Sequence, residues 1–297
     1  LGALATALII WYGGGWSLEG TLTLGSLVAF LQYSQRFFRP ISDLSEKFNI
    51  LQAAMASSER IFGLLDTPVE ITSPSPDVVR MPEGGGHIRF EHVSFAYRDE
   101  DYVLRDVSFN VAPGERVGIV GAPGAGKTTL INLLMRFYDV NHGRITLDGV
   151  DIKMISLDEL RRRFGLVLQD VYLFSGTIRD NVRLGHEEIS EADVMRATAN
   201  VHADQFINRL PDGIDSEVAE RGATLSVGQR QLLSFARALA FAPEVLVLDE
   251  ATSNVDTITE MLIRDALQVV MKGRTTIAIA HRLSTVQDMD KILVLHK

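Results

Sequence analysis

The stretch Gly121–Thr129, "GAPGAGKTT", constrains this chain more than any other part of its sequence. It follows "RVGIV", a short apolar run with β-branched residues, and it opens "KTTLINLLMRFY", where apolar residues recur at helical spacing. A turn of this pattern, Gly, four residues, then Gly-Lys-Ser/Thr, placed between a strand and a helix, is a phosphate-binding loop. Its glycines let backbone N–H groups wrap an oxyanion at a helix N-terminus, where the helix dipole favours the same charge. Lys127 is expected to neutralise the β and γ phosphates of a nucleotide, and the Thr128 hydroxyl to ligate Mg²⁺. A nucleoside triphosphate is therefore expected against Gly121, Ala122, Pro123, Gly124, Ala125, Gly126, Lys127, Thr128 and Thr129. Pro123 removes one N–H from the cradle.

Such a loop calls for a carboxylate at the end of a buried strand, and "EVLVLDEATSNVD" supplies one. Val245 to Leu248 is apolar without alternation, as a strand covered on both faces must be. Asp249 and Glu250 end it and point to opposite faces, so they have different tasks. Asp249 is assigned to the Mg²⁺ shell, and Glu250 to polarising the water that attacks the γ phosphate. The further runs "HIRFEHVSFAY", "RITLDG", "FGLVLQ", "RTTIAIA" and "KILVL" alternate with helical segments. That alternation predicts an α/β domain with a largely parallel sheet, over residues 87–297.

The segment before it has a different character. Residues Thr67–Gly86, rich in Pro, Ser and Gly, form a linker. Ahead of that lie two apolar runs, Leu1 to Trp16 and Leu22 to Tyr33, the second continuing into a long stretch of helical periodicity. As a helix the first spans only about 24 Å against a hydrocarbon core of about 30 Å, which makes it the tail of a span. Hydropathy alone divides evenly between an amphipathic soluble helix and a membrane segment. Two asymmetries favour the membrane: Trp11, Tyr12 and Trp16 gather like an interfacial belt beside a loop whose one charge is Glu19, and Arg36, Arg39 and Lys47 follow the second run on the cytoplasmic side. Residues 1–66 are thus expected to end one span and enter a second membrane helix, which the resemblance given below makes the last one of its domain, and the chain to be a fragment of a longer one. A net charge of -9 speaks against a nucleic-acid partner, and the absence of Cys excludes disulfides and thiolate chemistry while suiting a cytosol-facing domain.

The stretch "ATLSVGQRQLLSFARALA" carries a second candidate site. Ser226 stands as an N-cap, with Gln229 three residues on, which is a capping box. Gly228 between them costs helix stability and is expected to bare the first-turn N–H groups to an anion.

Taken in order, "GAPGAGKTT", "LVLQDVYLFSGTIRDN", "ERGATLSVGQRQLLSFARAL", "VLVLDEATSNVD" and "AIAHRLST" resemble the nucleotide-binding domain of ATP-binding cassette transporters, in particular exporter half-transporters. The resemblance implies an α/β P-loop NTPase with a helical subdomain, preceded by an α-helical transmembrane segment. It implies that Tyr97 stacks on adenine, that Gln169 links Mg²⁺ to the membrane-domain contact, and that His281 contacts the γ phosphate and orders the attacking water. It gives Ser226, Gly228, Gln229 and Asp256 to ATP held by the other subunit, and makes Glu220-Arg221-Gly222 a loop that senses the membrane domain. Val227 departs from the family's usual Gly. The implied assembly is a dimer with an identical or homologous half-transporter, embedded in lipid as a multi-pass protein of the cell membrane, with its cassette in the cytoplasm and ATP and Mg²⁺ as cofactors. The alternative is a non-transport ATPase that uses the cassette as a clamp or switch, and residues 1–66 discriminate the two.

Overall fold

The computed structural model describes residues 2–74, 81, 84–168, 170–249, 257–279 and 286–296. Its contacts divide the chain into two units, Leu1–Glu70 and Ile71–Lys297. The first is a pair of helices, α1 (Gly2–Leu18) and α2 (Leu24–Leu65). Between them the backbone turns at Gly20, whose φ of 76° suits a residue without Cβ. Thr23 then caps α2 by accepting the Ser26 N–H. The two helices meet closely at Gly13, where an added Cβ would stand 2.5 Å from Leu27 Cδ1. Pro40 lies inside α2, where it removes one intrahelical hydrogen bond. Leu8, Trp11, Tyr12, Trp16, Phe30 and Phe37 are exposed on this unit. Among the described residues no helix is long and apolar enough to cross a membrane.

The second unit begins with the hairpin β1 (Ile88–Ala96) and β2 (Tyr102–Val111), followed by β3 (Arg116–Gly121) and α3 (Lys127–Leu134). Next come β4 (His142–Leu147), β5 (Val150–Asp151), α4 (Leu157–Arg162) and β6 (Phe164–Val167). A helical insertion follows: β7 (Gly176–Thr177), α5 (Ile178–Arg183), α6 (Glu191–Asn200), α7 (Asp204–Ile207), β8 (Glu217–Val218) and α8 (Val227–Ala240). The chain then returns through β9 (Val245–Asp249), α9 (Thr257–Met271), β10 (Thr275–Ile279) and β11 (Lys291–Leu295).

These strands form two main sheets. One is wholly parallel, in the order β11-β3-β10-β9-β6, and the other antiparallel, in the order β2-β1-β4-β5. The expected largely parallel sheet is the five-stranded one, and the runs "HIRFEHVSFAY" and "RITLDG" lie apart from it as β1 and β4 of the antiparallel sheet. β1 and β2 are joined by a short connection, which only antiparallel neighbours can use, so they cannot enter the parallel sheet as consecutive members.

The inner strands of the parallel sheet are buried on both faces, and β9 shows how the sequence achieves it. Val245 and Val247 pack with α3 residues Leu130, Leu133 and Leu134 and with the antiparallel sheet, whereas Leu246 and Leu248 pack with α8 and α9. Each such side chain taken out of water contributes about 1.5–3 kcal/mol. The same alternation carries Asp249, next in line after Val247, to the α3 face of the sheet.

Candidate functional site

The phosphate-binding loop leaves β3 at Gly121 and enters α3 at Lys127. Within it the Ala125 N–H donates to the Ala122 carbonyl at 3.1 Å, and Gly124 between them has φ 77°. Pro123 therefore occupies the second position of a type II turn, where a fixed φ is favoured, and Gly124 the third, where a positive φ is required. The N–H that Pro123 lacks is thus offset by a preset turn. Gly126 caps α3 with φ 91° and no side-chain hydrogen bond, so the first-turn N–H groups are left for a ligand. An added Cβ at Gly126 would come within 2.8 Å of Leu104 Cδ2.

Lys127 is buried at 8% exposure, and its ammonium donates to the Gly121 carbonyl at 2.7 Å and the Ala122 carbonyl at 3.1 Å. In the first turn of α3 Thr128 is exposed, whereas Thr129 is buried. Asp249 ends β9 in register with Ile279 of β10, and β10 in turn pairs with β3. Lys127 and Asp249 are thereby brought to the C-terminal ends of parallel strands, separated by the single strand β10, on the α3 side. Glu250, which completes the expected pair, lies outside the described residues, as do Gln169, Asp256 and His281.

Tyr97 stands just past β1 and is 45% exposed. Phe95 and Tyr138 hold it by edge-to-face contacts, with ring centroids 4.9 and 5.0 Å away. Its hydroxyl donates to Thr129 Oγ1 at 3.2 Å and accepts from Asn132 Nδ2 at 3.4 Å. The sequence reading missed Asn132 and Tyr138. Asn132 had a legible signal, being a polar residue three positions after Thr129 on a helix whose other interior positions are apolar.

The second candidate, at the start of α8, is a capping box as expected. Ser226 Oγ accepts the Gln229 N–H at 3.2 Å, and Gln229 Oε1 accepts the Ser226 N–H at 2.8 Å. Ser226 and Val227 are exposed, but Gly228 is buried. The solvent-exposed part of this helix start is thus formed by Ser226 and Val227, with Gly228 beneath them.

The residues after Gln169 are fixed from two sides. Arg237 of α8 donates from Nε to the Asn181 carbonyl at 2.9 Å and from Nη1 to the Tyr172 carbonyl at 3.3 Å, and burial pushes its guanidinium below its ordinary pKa. The Arg221 N–H donates to the Leu173 carbonyl at 3.1 Å, which ties the Glu220-Arg221-Gly222 loop to the same segment.

Oxygen donors, the Thr128 hydroxyl and the Asp249 carboxylate, stand in the first turn of α3 and at the strand end. Among the described residues no group of three or more His, Cys, Asp or Glu is placed to hold a metal ion. A hydroxyl with one carboxylate suits a hard cation such as Mg²⁺, which takes few protein ligands and completes its shell with phosphate oxygens and water.

Comparison with known proteins matches residues 104–253 to the family described as ABC transporter. A fatty acid ABC transporter ATP-binding/permease protein of Mycobacterium bovis is 47% identical over 99% of this chain and 46% of its own length. An ATP-dependent lipid A-core flippase of Syntrophus aciditrophicus is 42% identical over 100% of this chain and 49% of its own. A solved structure described as a bacterial Atm1-family ABC exporter with ATP bound superimposes with a TM-score of 0.73 at 41% identity, covering 99% of this chain and 51% of that one. The chain spans about half the length of these relatives.

Proposed function

The chain belongs to the ABC transporter family, and from that premise we propose that it is part of an ATP-driven exporter, in which ATP binding and hydrolysis by this α/β unit power movement of a substrate across a membrane. The observation that carries the reading is the placing of Lys127 and Asp249 at one end of the parallel sheet, on the two sides of β10. Relatives named as a fatty acid transporter and a lipid A-core flippase support export.

In this reading the N–H groups at the start of α3 and the loop backbone receive the phosphates. Lys127 exchanges its two carbonyl partners for phosphate oxygens. Thr128, Asp249 and Gln169 hold Mg²⁺, which supplies charge neutralisation at the β and γ phosphates when bound. Tyr97 offers its ring face to adenine. Glu250 accepts a proton from the attacking water, and His281 orients that water against the γ phosphate. Ser226, Gly228, Gln229 and Asp256 close over ATP held by a second, identical or homologous subunit. Residues 1–66 belong to the membrane domain, which the exposed Trp11, Trp16 and Phe30 favour, with 67–86 a linker and 87–297 the cytoplasmic cassette. The protein then resides in the cell membrane.

Two measurements test the reading. Glu250→Gln keeps shape and hydrogen-bonding reach but loses the base, so ATP turnover drops by about 10²–10⁴-fold while ATP still binds. Near-normal hydrolysis by that variant removes Glu250 from its role. Fractionation of cells expressing the protein decides between exporter and soluble clamp: recovery with membranes supports export, and recovery in the soluble fraction without detergent supports the clamp.

A further inference from the structure

The hydroxyl of Tyr97 has no part in a stacking platform, yet it is fully engaged. An amide nitrogen can only donate, so Asn132 Nδ2 makes the Tyr97 oxygen an acceptor, and the Tyr97 O–H donates in turn to Thr129 Oγ1. Both bonds run one way along α3, from Asn132 through Tyr97 to Thr129. The Thr129 oxygen accepts that hydrogen bond and has its own O–H left for donation. Thr129 is only 5% exposed, and no described residue accepts its proton. Its place in the first turn of α3 sets it among the uncapped N–H groups that follow Gly126. A buried hydroxyl obliged to donate, at a helix start rich in free donors, matches a ligand that only accepts, and ionised phosphate oxygens do that.

We propose that Asn132 and the Tyr97 hydroxyl are positioning residues that form a one-way donor relay, directing the Thr129 O–H proton onto a phosphate oxygen of the bound nucleotide. The inference rests on reading the loop as a nucleotide site. It gives Tyr97 two separate duties, the ring toward the base and the hydroxyl toward the phosphates, and the second is independent of any base.

The test uses a ligand without a base. Binding of ATP and of inorganic tripolyphosphate, both with Mg²⁺, is measured by equilibrium titration of the intact protein and of Tyr97→Phe, which keeps the ring. The relay predicts that Tyr97→Phe weakens both ligands alike, by about fivefold, the worth of one hydrogen bond. A tripolyphosphate affinity within about twofold of wild type overturns it, since a pure base platform leaves that ligand untouched. Adding Tyr97→Phe to Thr129→Val, where the receiving hydroxyl is already gone, is expected to change neither affinity further. A repeated fivefold loss in that background also overturns the relay. If the wild-type protein binds neither ligand, the nucleotide site itself falls and the relay with it.

Discussion

The Lys127 ammonium lies 2.7 Å from the carbonyl of Gly121, so the loop's cation is folded back onto the residue where the loop begins. That contact and the second one to Ala122 give two of the three donors of a buried charge backbone oxygens as partners. Phosphate oxygens, being charged, make stronger partners than carbonyls and displace them.

Removing this cation is the first prediction. Lys127→Ala loses a charge-assisted contact to the phosphates, and ATP affinity falls on the order of a hundredfold. Equilibrium titration with a non-hydrolysed ATP analogue reads it, and an affinity equal to wild type would sink the phosphate-loop assignment.

Gly126→Ala tests the backbone that shapes the loop. The φ of 91° disfavours any residue with Cβ, and the new methyl meets Leu104, itself buried at 2% exposure. Strain of about 1–3 kcal/mol is expected, read as a lowered midpoint in denaturant unfolding together with weakened ATP binding. Unchanged stability would mean that the loop relaxes freely.

Much of this was legible in the sequence, and the reasons are local. The loop from Gly121 to Thr129 and the strand Val245–Asp249 carry their own signals, glycine spacing in one and unbroken apolarity in the other. The strand β2 was not read, because its alternation is broken. His92 on β1 and Asp106 on β2 adopt φ of 51° and 50°, and the pairing register of the two strands shifts along the hairpin. The burial of Gly228 was equally hidden, since the capping box specifies how α8 begins but not which side of its first turn packs against the protein. The tie between Tyr97 and Thr129 spans 32 positions and depends on the fold bringing the end of β1 onto α3.

Ser226→Asp separates the two roles of Ser226. A carboxylate still accepts the Gln229 N–H, so the α8 cap and the thermal stability are kept, whereas Ser226→Ala costs about 1 kcal/mol. If Ser226 also faces the phosphates of a partner's ATP, the added negative charge abolishes ATP-dependent dimerisation. Dimerisation that survives Ser226→Asp but weakens in Ser226→Ala, as followed by light scattering, would restrict Ser226 to capping.

The sharing of each ATP between two chains is most directly measured by mixing variants. Lys127→Ala and Ser226→Arg, each present in both chains of a homodimer, spoil both sites, one by losing the phosphate anchor and the other by filling the exposed helix end. When the two variants are mixed and each site pairs one chain's Lys127 with the other chain's Ser226, both lesions fall in a single site and the second site is intact. Cross-linking across the interface in the presence of a non-hydrolysed ATP analogue is then predicted to return in the mixed dimers, well above either variant alone. Mixed dimers that demonstrably form, yet cross-link no better than either parent, would contradict the account and leave Ser226 to its own chain.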